Sequence, residues 1–140
     1  MVQRYVVMTS AWLEIVVGAI FAIAPNFPCE LVFGERPENI GGPLARWVGI
    51  SLFALGIACL PRSASGTPRS VLTGLSLFNA GVAILFVCVG LASVHGPLLW
   101  PAAIVHALIA AALLDQLLTR NALWRMASLL HQATSWGRHE

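Results

Sequence analysis

Four stretches of the chain are almost free of charge and stay apolar for roughly the length of a bilayer-crossing helix. They run over about residues 5–24, 44–60, 71–92 and 98–117. A spanning helix needs about 20 mostly apolar residues. Proline punctuates these stretches: Pro25 follows the first, Pro43 precedes the second, Pro61 follows it, and Pro97 opens the fourth. Proline is tolerated in the first turn of a helix and just past its end, so each of these prolines marks a boundary. The second stretch is the shortest, which puts Arg46 and Trp47 at a membrane interface. After residue 118 the pattern changes: Leu118, Ala122, Met126, Leu129 and Leu130 share one helical face, while Arg120, Arg125 and Gln132 lie off it. With Trp124 and Trp136 alongside, this tail reads as an amphipathic interfacial helix or as an extension of the fourth span. The expected fold is all-α: an integral membrane four-helix bundle, one domain over residues 1–140, with a C-terminal amphipathic helix.

Composition agrees. The chain is 58% hydrophobic and only 10% charged, against about 25% charged in soluble domains. Its net charge is +2 and every cation besides His is Arg. No strongly basic patch with interleaved aromatics occurs, which argues against a nucleic-acid partner. Arg4, Arg62, Arg69, Arg120, Arg125 and Arg138 fall on one side of a four-span topology, and Arg36 and Arg46 on the other. The positive-inside rule then predicts N-in and C-in placement. The loop over residues 26–42, with Glu30, Glu35 and Glu38, would be external and long enough to fold over the bundle mouth. Arg4 before an apolar run and Ala22-Ile23-Ala24 at its end resemble a signal peptide. The run is long, however, Glu14 interrupts it and Pro25 would follow the cut, so a retained helix is expected.

The polar residues inside the spans carry the functional signal. Glu14 lies mid-way along the first and His106 mid-way along the fourth, with Asn79 and Ser51 at similar depth in the third and second. Ionisable groups at that depth are costly and mark functional sites by default. Small residues flank them at helical spacing: Ala11, Gly18 and Ala22; Ala103, Ala107 and Ala110; Ala80 and Ala83. Such residues let helices approach closely in lipid, so Glu14, Asn79 and His106 are expected to face the bundle interior. Together with Arg46, which from the outer start of helix two could snorkel to headgroups, hold an anionic group or reach Glu30, Glu35 or Glu38, they form the candidate ligand- or proton-binding set. The alternative is that they are interhelical glue, a reading favoured for Asn79 and for Ser51. His95 and Trp100 read as interfacial anchors, and Asp115 as a structural partner of Arg120 or Arg62. Cys29, Cys59 and Cys88 have no metal-site spacing and read as small apolar residues. A Cys29–Cys88 disulfide in an oxidising compartment stays open. One His and one Glu are too few ligands for a typical zinc site, so no metal is expected.

The segments LARWVGISLFALGIACL (44–60), FGE (33–35), FNA (78–80) and GPLLWPAAIVHALIAAALL (96–114) resemble the helices of small bacterial four-helix membrane proteins of the DoxX-like group. The resemblance covers about residues 10–117. It implies a bacterial inner-membrane protein, and some members of the group are membrane partners of quinone-linked sulfur oxidation. AWLEIVVGAI (11–20) also resembles the first helix of small multidrug transporters, but the midplane His of helix four and the long first loop depart from that family. Three functions are therefore expected in this order. The first is a binding or accessory subunit that holds a quinone or lipid, or joins a homodimer or larger membrane complex. The second is a proton-coupled transporter using Glu14 and His106. The third is a membrane isomerase using them as acid and base; enzymatic activity is the less favoured reading.

Overall fold

The computed structural model describes residues 2–60, 67–92 and 95–136, with the side chains of residues 2, 3 and 123–136 excepted. Five helices follow one another: α1 (Val2–Ile23), α2 (Asn26–Phe33), α3 (Gly41–Cys59), α4 (Arg69–Ala92) and α5 (Leu99–Trp136). Four of them contain stretches long and apolar enough to cross a membrane: Arg4–Ile23, Gly41–Cys59, Arg69–Ala92 and Leu99–Ala122. The protein is an all-α membrane bundle, as its apolar pattern predicts. The prolines act as expected, since Pro28, Pro43 and Pro101 all sit in first turns, where the missing N–H has no intrahelical partner to lose.

The distribution of side chains is that of a protein dissolved in lipid. Leu77, Ile84 and Leu91 recur every seventh residue along α4 and are 70%, 65% and 78% exposed. Ser10, Glu14, Ser76 and Asn79 are buried. A soluble bundle would invert this arrangement, because exposed apolar area in water carries a cost of about 25 cal/mol per Å².

One departure from the sequence reading matters. The 26–42 loop is not all loop: its first half is helix α2, which ends on Gly34 in the left-handed conformation (φ 80°), its N–H donating to the Glu30 carbonyl. The segment leading into α5 then docks on α2. Gly96 N–H donates to the Val32 carbonyl (3.1 Å) and Leu98 N–H to the Leu31 carbonyl (2.9 Å), satisfying acceptors that the end of α2 leaves free. A Cβ at Gly96 would run into the Leu31 carbonyl, so only glycine permits this contact. The tail continues α5 without a break to Trp136, the extension of the fourth span that the sequence leaves open. The side chains that define its expected amphipathic face, from Trp124 and Met126 onward, lie outside the described residues, as do Arg62 and Arg138.

The bundle consists of two close pairs, α1 on α3 and α4 on α5, joined mainly where α1 meets α5. The α1–α3 contact is backbone to backbone. A Cβ on Gly18 would lie 2.7 Å from the Gly49 carbonyl oxygen, one on Gly49 equally close to that of Gly18, and one on Gly56 2.6 Å from that of Ala11. Such proximity maximises dispersion where no hydrophobic force separates helix from lipid. Away from α2 the pairs close on an apolar core of Val7, Ala11, Cys59, Leu72, Leu75, Leu113 and Leu117. At the α2 end they part.

This geometry makes a paired prediction. Gly49→Leu should lower unfolding stability in detergent by about 1–3 kcal/mol or more, through overpacking against α1. Gly74→Ala and Gly81→Ala, where an added Cβ meets nothing within 4 Å, should be neutral or gain up to about 1 kcal/mol from helix propensity. Equal losses at all three positions, read by denaturant titration of the purified protein, would contradict the α1–α3 packing.

Candidate functional site

The polar groups of the spans do not all meet. Asn79 is the centre of those that do. It is fully buried on α4, and its amide nitrogen donates to the Leu75 carbonyl one turn back (2.9 Å) and to the Ser10 hydroxyl on α1 (3.3 Å). Its amide oxygen lies 2.8 Å from His106 Nδ1 on α5. One side chain therefore links three helices and spans the two pairs. Ser10, fully buried, is the member that the sequence pattern does not single out; it lies one turn before Glu14, on the same face as Ala11 and Gly18. Ser76, also buried on α4, takes no part in the link. Its hydroxyl donates to the Leu72 carbonyl one turn back in its own helix (2.8 Å).

Ser51 stands apart. Its depth in α3 matches the others, but it is exposed and bonds back to the Trp47 carbonyl of its own helix (3.0 Å). Arg46 also lies away from this cluster. Its guanidinium donates to the carbonyls of Ala22 (2.6 Å) and Ile23 (3.1 Å), the last two residues of α1. It thus caps that helix and meets the negative end of its dipole. Glu30 of α2 is paired with Arg36 of the loop that follows it (2.8 Å), and Arg120 donates to the Thr67 carbonyl (2.9 Å).

Glu14 and His106 share a depth but form no hydrogen bond or ion pair with each other among the described residues. Glu14 is 1% exposed, and its Oε1 is buried without a hydrogen-bond partner among the described residues. His106 is held differently: besides the Asn79 bond, its ring meets Phe78 and Phe86 edge-on, with centroids 6.2 and 6.0 Å away. Phe86 in turn meets Phe33 of α2 at 6.0 Å, so aromatic contacts run from α2 to the imidazole.

Where the helix pairs part, they leave a cavity of about 330 Å³. Leu13, Val17, Ile20 and Phe21 of α1 form one wall, and α2 contributes Phe27, Pro28, Leu31 and Val32. Phe86 and the first turns of α5, from Leu98 to Val105, complete it. Among the described residues of the lining His106 is the one polar member, and Glu14 is not among them. The volume lies at the lower end of the range for small-molecule sites, about 300–1,000 Å³. A wider depression of about 680 Å³ lies at the loop, lined by Cys29, Phe33, Glu35, Arg36, Pro37 and Glu38; its charged residues are exposed, and it encloses nothing. All three cysteines are free thiols, Cys29 and Cys59 buried and Cys88 exposed. Burial pushes the Cys29 thiol up from its ordinary range, which keeps it protonated and unreactive. No group of three or more His, Cys, Asp or Glu suited to a metal ion occurs among the described residues.

Fold and site together define a small membrane helical bundle with a polar hub and an apolar cavity that has a single polar wall residue. The chain matches no protein-family model, no curated protein and no solved structure.

The hub separates glue from non-glue residues. Asn79→Leu strands the Ser10 hydroxyl and His106 Nδ1, and should cost about 1–3 kcal/mol of stability. Glu14→Leu removes a buried oxygen that has no partner, and should leave stability equal or raise it. Ser51→Ala should stay within about 0.5 kcal/mol of the unmodified protein. Thermal unfolding of the three variants in one detergent checks the order; a larger loss in Glu14→Leu than in Asn79→Leu would reverse these assignments.

Proposed function

We propose that the protein binds a lipophilic small molecule, a quinone or lipid, in the cavity between α1, α2 and α5, with His106 as the anchor for its polar head. The observation that supports this most is the lining itself: thirteen apolar residues and one imidazole. A site of that composition suits a molecule with a long apolar part and one polar group. Several of its residues, among them Ile20, Phe27 and Leu98, are also exposed, so a ligand can enter sideways from the bilayer. On this reading α2 is the cover, fastened to the start of α5.

The resemblance to DoxX-like proteins supports a bacterial inner-membrane location and a role as accessory subunit to a larger membrane complex, and the Arg distribution supports both termini inside. The chain carries no redox motif, so a quinone bound here would exchange electrons with a partner that does. The unpartnered Glu14 oxygen favours a second reading, a proton-coupled transporter. An acid–base isomerase has less support, because Glu14 is not among the described residues lining the cavity that His106 faces.

Native mass spectrometry of gently extracted protein tests the first reading. The unmodified protein should retain a defined lipophile. His106→Leu should weaken retention about tenfold, and Ala102→Trp, which fills the cavity one turn before His106, should abolish it. Equal retention by all three proteins would refute the cavity as the site. A pH-gradient-driven flux in liposomes that is lost in Glu14→Gln would favour the transporter instead.

A further inference from the structure

The hydrogen bonds of Asn79 determine which imidazole nitrogen carries the proton. Its amide nitrogen faces the Leu75 carbonyl at 2.9 Å, and a carbonyl can only accept. The opposite amide atom, at 2.8 Å from His106 Nδ1, is therefore the oxygen, which also can only accept. A neutral His106 must carry its proton on Nδ1, leaving Nε2 with a lone pair. The rest of the cavity wall is apolar, and its helical backbone N–H groups beyond the first turns are used within the helices.

We infer that the cavity selects a lipophile whose head donates a hydrogen bond, a hydroxyl such as that of a quinol, phenol or long-chain alcohol, over one whose head only accepts. Asn79 is the positioning residue for this choice, and His106 Nε2 is the acceptor. The inference rests on the cavity reading above and names the ligand class for it. A hydroxyl head completes its hydrogen bond at Nε2. A quinone carbonyl or an ether oxygen meets a lone pair there and leaves its own water behind without replacement.

Two measurements at about pH 8, above the ordinary imidazole range, test it. The first is ¹⁵N NMR of histidine-labelled protein, with the His106 signals identified by their loss in His106→Gln. The Nδ1–H tautomer is expected; an Nε2–H tautomer overturns the inference whether or not any probe binds. The second compares binding of a 4-alkylphenol and its methyl ether to the protein in nanodiscs. The phenol should bind about tenfold tighter or more, and the ratio should fall towards one in His106→Leu and in Asn79→Leu. Equal binding of the two probes by the unmodified protein overturns the donor preference and leaves the cavity reading standing. Binding of neither overturns both. The tautomer is read on the unmodified protein, so a poorly folded Asn79→Leu does not remove the test.

Discussion

Inside a bilayer a buried amide has only protein to bond with, and the arrangement of this molecule turns on how Asn79 meets that constraint. Its side chain offers two donors and an acceptor. One donor returns to its own helix, the other crosses to Ser10, and the acceptor reaches His106. Helices α1 and α3 already adhere through glycine, and α4 lies on α5. The amide adds direction to the joint between these pairs. It sets both the depth at which they meet and the rotation of the imidazole that closes the cavity.

The same joint explains why one end of the bundle is filled and the other is not. Beyond Asn79, away from α2, leucine and valine side chains from the spans interlock. Towards α2 the pairs diverge, and the space is roofed by a short helix instead of being closed by α1 and α5 themselves. Gly34 and Gly96 let that helix and the start of α5 touch backbone to backbone. Polar satisfaction, close packing and cavity formation are in this way consequences of one crossing point.

Much of the fold is legible in the sequence because length and apolarity alone identify a span. The burial of Glu14 and Asn79 is legible for a related reason: lipid penalises polar groups, so they turn inward. Depth, however, says nothing about rotation. Ser51 lies as deep as Asn79 yet is exposed, since a serine can satisfy itself on its own helix. Ser10 gives no signal of its own, because a serine on a packing face looks like any other small residue until its partner is known. Helix α2 is hidden because NFPCELVF is short and begins among prolines. The cavity has no sequence signal either, because its wall is assembled from α1, α2, α4 and the start of α5, which are far apart in the chain. Arg46 reads as a ligand group from its position, and the carbonyls it caps belong to a helix end more than twenty positions away in the chain.

The most direct test of the account is to map where a lipophile sits. Photo-crosslinking with a diazirine-bearing fatty alcohol in nanodiscs, followed by peptide mass spectrometry, reports this residue by residue. The account predicts adducts confined to residues 13–32 and 98–106 and to Phe86. Adducts concentrated in the shallow α4–α5 groove around Ala83, Val87 and Ala107, or spread evenly over α3, would contradict it.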